Sequence, residues 1–427
     1  AAVDRHRLDD LAPYVYRTRD AGKTWSPIAR GIPAGSFVNV VREDPERRGL
    51  LYAGTETGVF VSFDDGEHWQ SLQLDLPNCS VRDIAVRHGD LVIGTHGRSF
   101  WVLDDVSPLR QLEARVAAAS AWLFAPRPAV RLHPAGFQGT PEPKDEPAAE
   151  NPPRGAVLDY ALKAAAAGPV VIEILDARGD VARRFASDDK AEAPDLQKIQ
   201  VTEDWVRAPE PPAASAGMHR FVWDLHYTAP KQLLRGRRAV SGAWAPPGRY
   251  TVRLTAAGQT LTQPLVVEKD PRIPATDADF ARQFELARRI EAERARVSAA
   301  LAESTALRKQ AAALAEKTTG NAAAALEEFG RKLTPIAGPP VSPDEFYNLA
   351  DALPTSLLRL LVSLGRLQGA VESADVAPTP DAAAGFAERS RSVEQGLAAW
   401  QGFLGEELPE VNRALAAAGL APLRPGS

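Results

Sequence analysis

Apolar residues in the first hundred positions come in short bursts. Residues 37–42, 50–55, 59–63 and 69–74 are β-branched or aromatic runs separated by Gly, Pro and Asp, and they predict four consecutive strands of one sheet. A second set of runs at residues 156–162, 170–176, 181–185, 218–225, 249–255 and 260–268 predicts a β-sandwich. Asp176-Ala177-Arg178-Gly179 and Ala256-Ala257-Gly258-Gln259 supply its hairpin turns. From Thr276 the period becomes helical: Phe280, Phe284, Ala287, Ile290, Arg294 and Val297 fall three or four apart on one face. This predicts a helix from an N-cap at Thr276 or Asp277 to about residue 317. Further helices are predicted at 321–333, 342–371 with an interruption at Pro354, and 380–418, broken by Gly338-Pro339-Pro340 and Ala377-Pro378-Thr379.

The N-terminal bursts repeat. Thr18-Arg19-Asp20-Ala21-Gly22-Lys23-Thr24-Trp25 and Ser62-Phe63-Asp64-Asp65-Gly66-Glu67-His68-Trp69 share the pattern [ST]-x-D-x-G-x-x-W, with the tryptophans about 44 residues apart. An ungapped offset of about 40 adds a third copy: Leu51-Tyr52-Ala53-Gly54-Thr55 matches Leu91-Val92-Ile93-Gly94-Thr95, and Phe60 matches Phe100. Short strands at this period are the signature of propeller blades. In each octapeptide the Asp carboxylate suits backbone N–H groups across a hairpin, the Gly supplies a positive φ and the Trp plugs the next layer. Asp20, Gly22, Trp25, Asp64, Gly66 and Trp69 are therefore expected to be structural.

These octapeptides resemble the Asp-box, or BNR, repeat of sialidase-like, sortilin-like and xyloglucanase-like β-propellers. Residues 92–105 resemble the last blade of large bacterial BNR-repeat proteins often labelled glycosyl hydrolases. Residues 217–225 with 246–252 are similar to the Ig-like domain of flagellar hook-capping proteins. The resemblance implies a multidomain β plus α chain: a partial BNR-type propeller at 1–112, a Pro-rich linker at 113–155, an Ig-like sandwich at 156–272 and an α-helical bundle at 273–427. It also implies export to the periplasm or beyond. Three sheets make an arc that cannot close, so an upstream segment or a partner chain is expected to supply further blades.

Composition narrows function by exclusion. The 427 residues carry 50 Lys+Arg against 55 Asp+Glu, a net charge of −5, which disfavours nucleic acid as a partner. Cys79 is the single cysteine, excluding disulfides within the chain and thiolate-rich zinc sites. No run of about 18 apolar residues predicts a transmembrane segment. A chain beginning Ala-Ala-Val, with Met218 its only methionine, reads as processed or truncated.

Candidate chemistry sits in the turns. In propeller geometry Glu56 in one blade, and His96 and Arg98 in the next, project from the face expected to bind ligand. A carboxylate, an imidazole and a guanidinium there suit sugar hydroxyls, an acidic group or a polypeptide. The competing reading, slightly the weightier on sequence alone, is an inter-blade Glu56–Arg98 ion pair with His96 capping a turn. Asp20, Asp64, Asp65, Asp104 and Asp105 are better explained as turn formers than as the paired carboxylates of glycoside hydrolysis or as calcium ligands. No sialidase-type set of arginines with a nucleophilic Tyr can be assembled around Tyr14, Tyr16 or Tyr52, and no cofactor or metal is expected. Arg235-Gly236-Arg237-Arg238 reads as a solvated basic loop, and Trp223, Tyr227, Trp244 and Tyr250 as core aromatics. The expected function is a glycan- or protein-binding scaffold. The alternative is a glycoside hydrolase fragment whose catalytic carboxylates lie in other blades.

Overall fold

A computed structural model describes residues 1–133, 151–190, 210–233, 242–340 and 354–426. The chain is mixed β and α. Three small antiparallel sheets come first. The first contains β1 (Ala2–Arg5), β2 (Asp10–Arg17) and β3 (Ser26–Pro27), and the second β4 (Val38–Glu43), β5 (Leu51–Thr55), β6 (Val59–Ser62) and β7 (Gln70–Ser71). The third contains β8 (Ser80–Arg87), β9 (Asp90–His96) and β10 (Phe100–Leu103).

Alternation gives β4, β5 and β6 of the second sheet two apolar faces, and both are covered. Leu51, Ala53, Phe60 and Trp69 pack on Val15 of β2 and on Ile28 and Ile32, which follow β3. Val40, Tyr52, Val59 and Val61 pack on Val81, Ile84, Leu91 and Ile93 of the third. The approach is close. A Cβ placed on Gly54 would lie 2.6 Å from Val81 Cγ1, so glycine is the residue that fits.

The third hairpin departs from the ungapped repeat. Gly54 pairs with Val59, but Gly94 pairs with Phe100, so the β9–β10 turn holds one residue more than the β5–β6 turn. A one-residue slip turns every side chain to the other face. Trp101, not Phe100, takes the place of Phe60 and packs inward, while Phe100 and Val102 take the places of Val59 and Val61. Phe100 and Val102 are 80% and 53% exposed, against 0% and 2% for Val59 and Val61.

Two further sheets pack face to face. One has the order β11 (Ala121–Leu123), β13 (Ala156–Leu162), β16 (Gly217–Trp223). The other has β12 (Ala129–Arg131), β18 (Gln259–Lys269), β17 (Gly248–Ala256), β14 (Val171–Leu175), β15 (Val181–Ala186). Leu158, Tyr160, Ile172, Trp223, Tyr250 and Val252 lie in their shared core. Residues 113–133 differ from the predicted linker. After the short helices α1 (Ser107–Gln111) and α2 (Ala114–Ala118), β11 pairs with β13 and β12 runs parallel to β18, because Ala121, Leu123 and Ala129 have apolar surface that only these sheets bury. The charged stretch 142–150, most of the Pro-rich loop at 186–216 and the basic loop at 235–238 lie outside the described residues.

The last third is helical: α3 (Asp277–Ala315), α4 (Asn321–Ala337), α5 (Leu357–Val371) and α6 (Pro380–Ala417). Thr276 caps α3 in a reciprocal capping box, its hydroxyl taking the Asp279 N–H and Asp279 taking the Thr276 N–H. Residues 342–353 of the predicted third helix lie outside the described residues, and the described helix begins at Leu357. Leu, Val and Ala side chains of the four helices meet around Trp400 and Phe403. Among the described residues no helix is long and apolar enough to cross a membrane.

A buried charge knot joins helices to sheets. Arg131, on β12, is 1% exposed and lies 2.7 Å from Asp375, which is fully buried. Its other contacts are the Ala245 carbonyl at 3.0 Å, the Gln283 side-chain carbonyl at 2.8 Å, and the rings of Trp244 and Phe280, with centroids at 5.4 and 5.0 Å. Gln283 in turn donates to the carbonyls of Val371 and Ala374. Removing one partner of such a pair strands a buried charge. Asp375→Ala should therefore cost ~3–5 kcal/mol in denaturant unfolding, while Arg131→Met with Asp375→Leu should recover most of it.

Candidate functional site

The octapeptide turns are built alike. Asp20 accepts the Thr24 N–H at 2.9 Å and the Thr24 hydroxyl at 2.7 Å, while Thr18 Oγ1 accepts the Gly22 N–H at 2.8 Å. Asp64 accepts the His68 N–H at 2.9 Å, and Ser62 Oγ accepts the Gly66 N–H at 2.9 Å. Gly22 and Gly66 both have φ of 89°, the left-handed region that a side chain would strain. The backbone N–H of Thr24, followed by its hydroxyl, holds the Asp20 carboxyl at about 2. Partial burial opposes the same effect at Asp64, but the His68 N–H and ring still lower it.

The two tryptophans differ. Trp69 is 5% exposed and donates from Nε1 to the Ile28 carbonyl of the preceding sheet at 2.6 Å. Trp25 is 50% exposed and donates back to Gly22 of its own turn at 3.1 Å. With Ala1, Val3 and Tyr16 it lines a shallow apolar depression on the outer face of the first sheet. Tyr16 is half-buried, unlike the fully buried Tyr52, because no sheet covers this face among the described residues.

At the opposite end of the sheets lie the β1–β2, β5–β6 and β9–β10 turns. Glu56, in the second of these, accepts the Ser80 hydroxyl at 2.7 Å and lies 3.5 Å from Arg82. Ser80 stands directly opposite His96 in the β8–β9 register, so Glu56 and His96 share one end. The Glu56 N–H donates to the Phe37 carbonyl, and the Phe37 ring stacks on His6 at 4.9 Å. His6 contacts Asp4 at 2.6 Å through Nδ1. The backbone N–H of His6 is the main cause that lowers the Asp4 carboxyl, with a smaller pull from Arg82. Arg98 lies near Cys79: burial pushes the thiol upward, and the Arg98 charge works against that.

Glu56 and His96 thus lie at the same end of neighbouring sheets, and Glu56 pairs with Arg82 rather than Arg98. Sequence reasoning missed Asp4, His6, Ser80 and Arg82. His6 had a signal, since it occupies the turn equivalent to those of Glu56 and His96. The site offers two carboxylates, two imidazoles and a guanidinium contributed by three sheets. Among the described residues no group of three or more His, Cys, Asp or Glu side chains could hold a metal ion.

No family model and no curated protein matches the chain. Among solved structures it is similar to the extracellular domain of a one-component system from B. thetaiotaomicron, at 9% identity and a TM-score of 0.19. That likeness covers 61% of this chain, which spans 29% of the other.

The turn chemistry predicts contrasts between the repeats. Trp69→Ala should cost ~3–5 kcal/mol in chemical denaturation, as expected for a buried aromatic, and Trp25→Ala well under half of that. Asp20 has a folded pKa below its ordinary 3.8, so its stabilisation is complete above about pH 4 and is lost as pH falls toward about 2. The denaturation midpoints of the wild-type protein and Asp20→Asn should accordingly differ at pH 5 and converge at pH 2.

Proposed function

We propose that the chain belongs to an exported BNR-type propeller protein, with an Ig-like sandwich and a helical bundle following the blades, and that it binds a glycan at the turn end of its three sheets. The observation carrying this reading is the convergence of Asp4, His6, Glu56, Arg82 and His96 on one rim. It includes carboxylates that accept from sugar hydroxyls and a guanidinium that donates to them. Glu56 is held by the Ser80 hydroxyl and Arg82, so little ordering is needed when ligand arrives.

A glycan panel probed with the full chain should give saturable binding. Glu56→Gln and His96→Ala should each weaken it by about tenfold, the effect of losing a hydrogen bond to a charged group, without lowering the melting temperature. Binding unchanged in both variants would remove the rim from consideration. Release of reducing ends by the same chain would replace binding with catalysis.

A further inference from the structure

Past α6 the chain turns back onto the helices. Gly419, with φ of 72°, ends α6: its N–H donates to the Ala416 carbonyl at 3.0 Å, and the Leu420 N–H donates to the Leu415 carbonyl at 2.9 Å. Residues 421–426 then run without helix or strand, and among the described residues no backbone–backbone hydrogen bond holds them. Two side-chain amides do so instead. Asn412 of α6 donates from Nδ2 to the Leu423 carbonyl at 3.0 Å and accepts the Leu423 N–H at 2.7 Å. Gln310 of α3 donates from Nε2 to the Arg424 carbonyl at 2.8 Å and accepts the Arg424 N–H at 3.0 Å. Successive residues of an extended chain turn their backbone groups to opposite sides. One residue thus faces α6 and the next faces α3, with the segment lying between the two helices.

Its side chains divide in the same way. Leu423 is 1% exposed and enters the apolar core of the helices, and Leu420 packs against that core. Ala421, Pro422, Arg424, Pro425 and Gly426 are exposed. Pro422 and Pro425 fix their own φ and hold Ala421 and Arg424, the residues before them, in extended backbone. The segment thus arrives with little conformational freedom left to lose. The two helices stay together without it: the Trp400 indole N–H donates to Glu303 at 3.2 Å, and Arg296 reaches Glu394 at 2.6 Å. A segment resting on one buried leucine and two amide clamps, outside a bundle that is already closed, has low local stability.

We propose that the groove between α3 and α6 is a binding site for an extended main chain carrying one leucine anchor, and that residues 420–426 fill it as a releasable strap. The amides of Asn412 and Gln310 read backbone alone, so the main chain supplies affinity and the Leu423 pocket supplies selectivity. The tethered strap competes at an effective concentration of about millimolar, so the same segment offered in trans enters only when the strap has lifted.

The probe is a fluorescent peptide copying residues 420–426, titrated into the full chain by anisotropy. Leu423→Asp withdraws the strap's anchor, and the chain carrying it should bind the peptide at least about tenfold more tightly than the unaltered chain does. In that background Asn412→Ala or Gln310→Ala, each removing two hydrogen bonds, should weaken binding by about tenfold. A peptide that itself carries Leu423→Asp should not bind. A second measurement needs no variant: in the unaltered chain, hydrogen exchange at the Leu423 and Arg424 amides should run at least about a hundredfold ahead of the α6 amides around Trp400. No binding to the Leu423→Asp chain beyond that of the altered peptide overturns the proposal. So does exchange at Leu423 as slow as at Trp400, because the segment would then leave only when the whole bundle unfolds.

Discussion

Everything at the N-terminal end depends on covering both faces of a small sheet. A four-stranded sheet with apolar residues on both sides has no stable solution alone, since each face leaves hydrocarbon in water. The second sheet solves this by lying between two others. Its Trp69 shows how exact the fit must be: the indole is buried against the first sheet, and its N–H reaches the Ile28 carbonyl instead of water. The Asp64 turn holds that tryptophan in place through backbone N–H groups. Stacking then fixes where the turns lie, so residues far apart in sequence, such as Asp4, Glu56 and Arg82, meet on one rim.

The helical third is fastened to the sheets by charge instead. Arg131 packs over the rings of Trp244 and Phe280 and is buried, so its guanidinium is removed from water and needs Asp375, Gln283 and a backbone carbonyl to offset the desolvation. Burial pulls the arginine downward in pKa, and Asp375 works against it. The knot extends through Trp244, whose backbone N–H donates to Glu372, and through Gln368, which donates to the same carboxylate. Apolar packing alone would permit several helix positions, while these directional contacts select one. Arg220 does the same between the third and fourth sheets, pairing with Asp159 and donating to the carbonyls of Asp104 and Asp105.

Period was legible in the sequence and register was not. The alternation at 156–162 and the helical spacing from Phe280 to Val297 each gave the right element, because a face that must be buried imposes its period over several turns or pairs. The β9–β10 hairpin resisted for a specific reason. Phe100 and Trp101 are both large aromatics, so the alignment with Phe60 looks equally good at either, and only the pairing of Gly94 with Phe100 separates them. Strands β11 and β12 were hidden because three residues are too few to show a period and their partners lie distant in sequence. At the rim, Glu56 and His96 were visible as polar residues in repeated turns. Ser80 and Arg82 were not, because strand residues alternate in any sheet and only stacking tells which of them reach a neighbour's turn.

The asymmetry of the three sheets follows from the same economy. Where a sheet is covered, the chain spends its large apolar residues inward and permits glycine at Gly54 for close approach. Where an edge faces solvent, it is shortened or charged, as at β3, β7 and β15. Strand β10 obeys neither rule, since Phe100 and Val102 put hydrocarbon and unpaired backbone into water together. The longer β9–β10 turn is the cause, since it places Phe100 and Val102 where Val59 and Val61 stand, on a face that no described residue covers as the third sheet covers theirs.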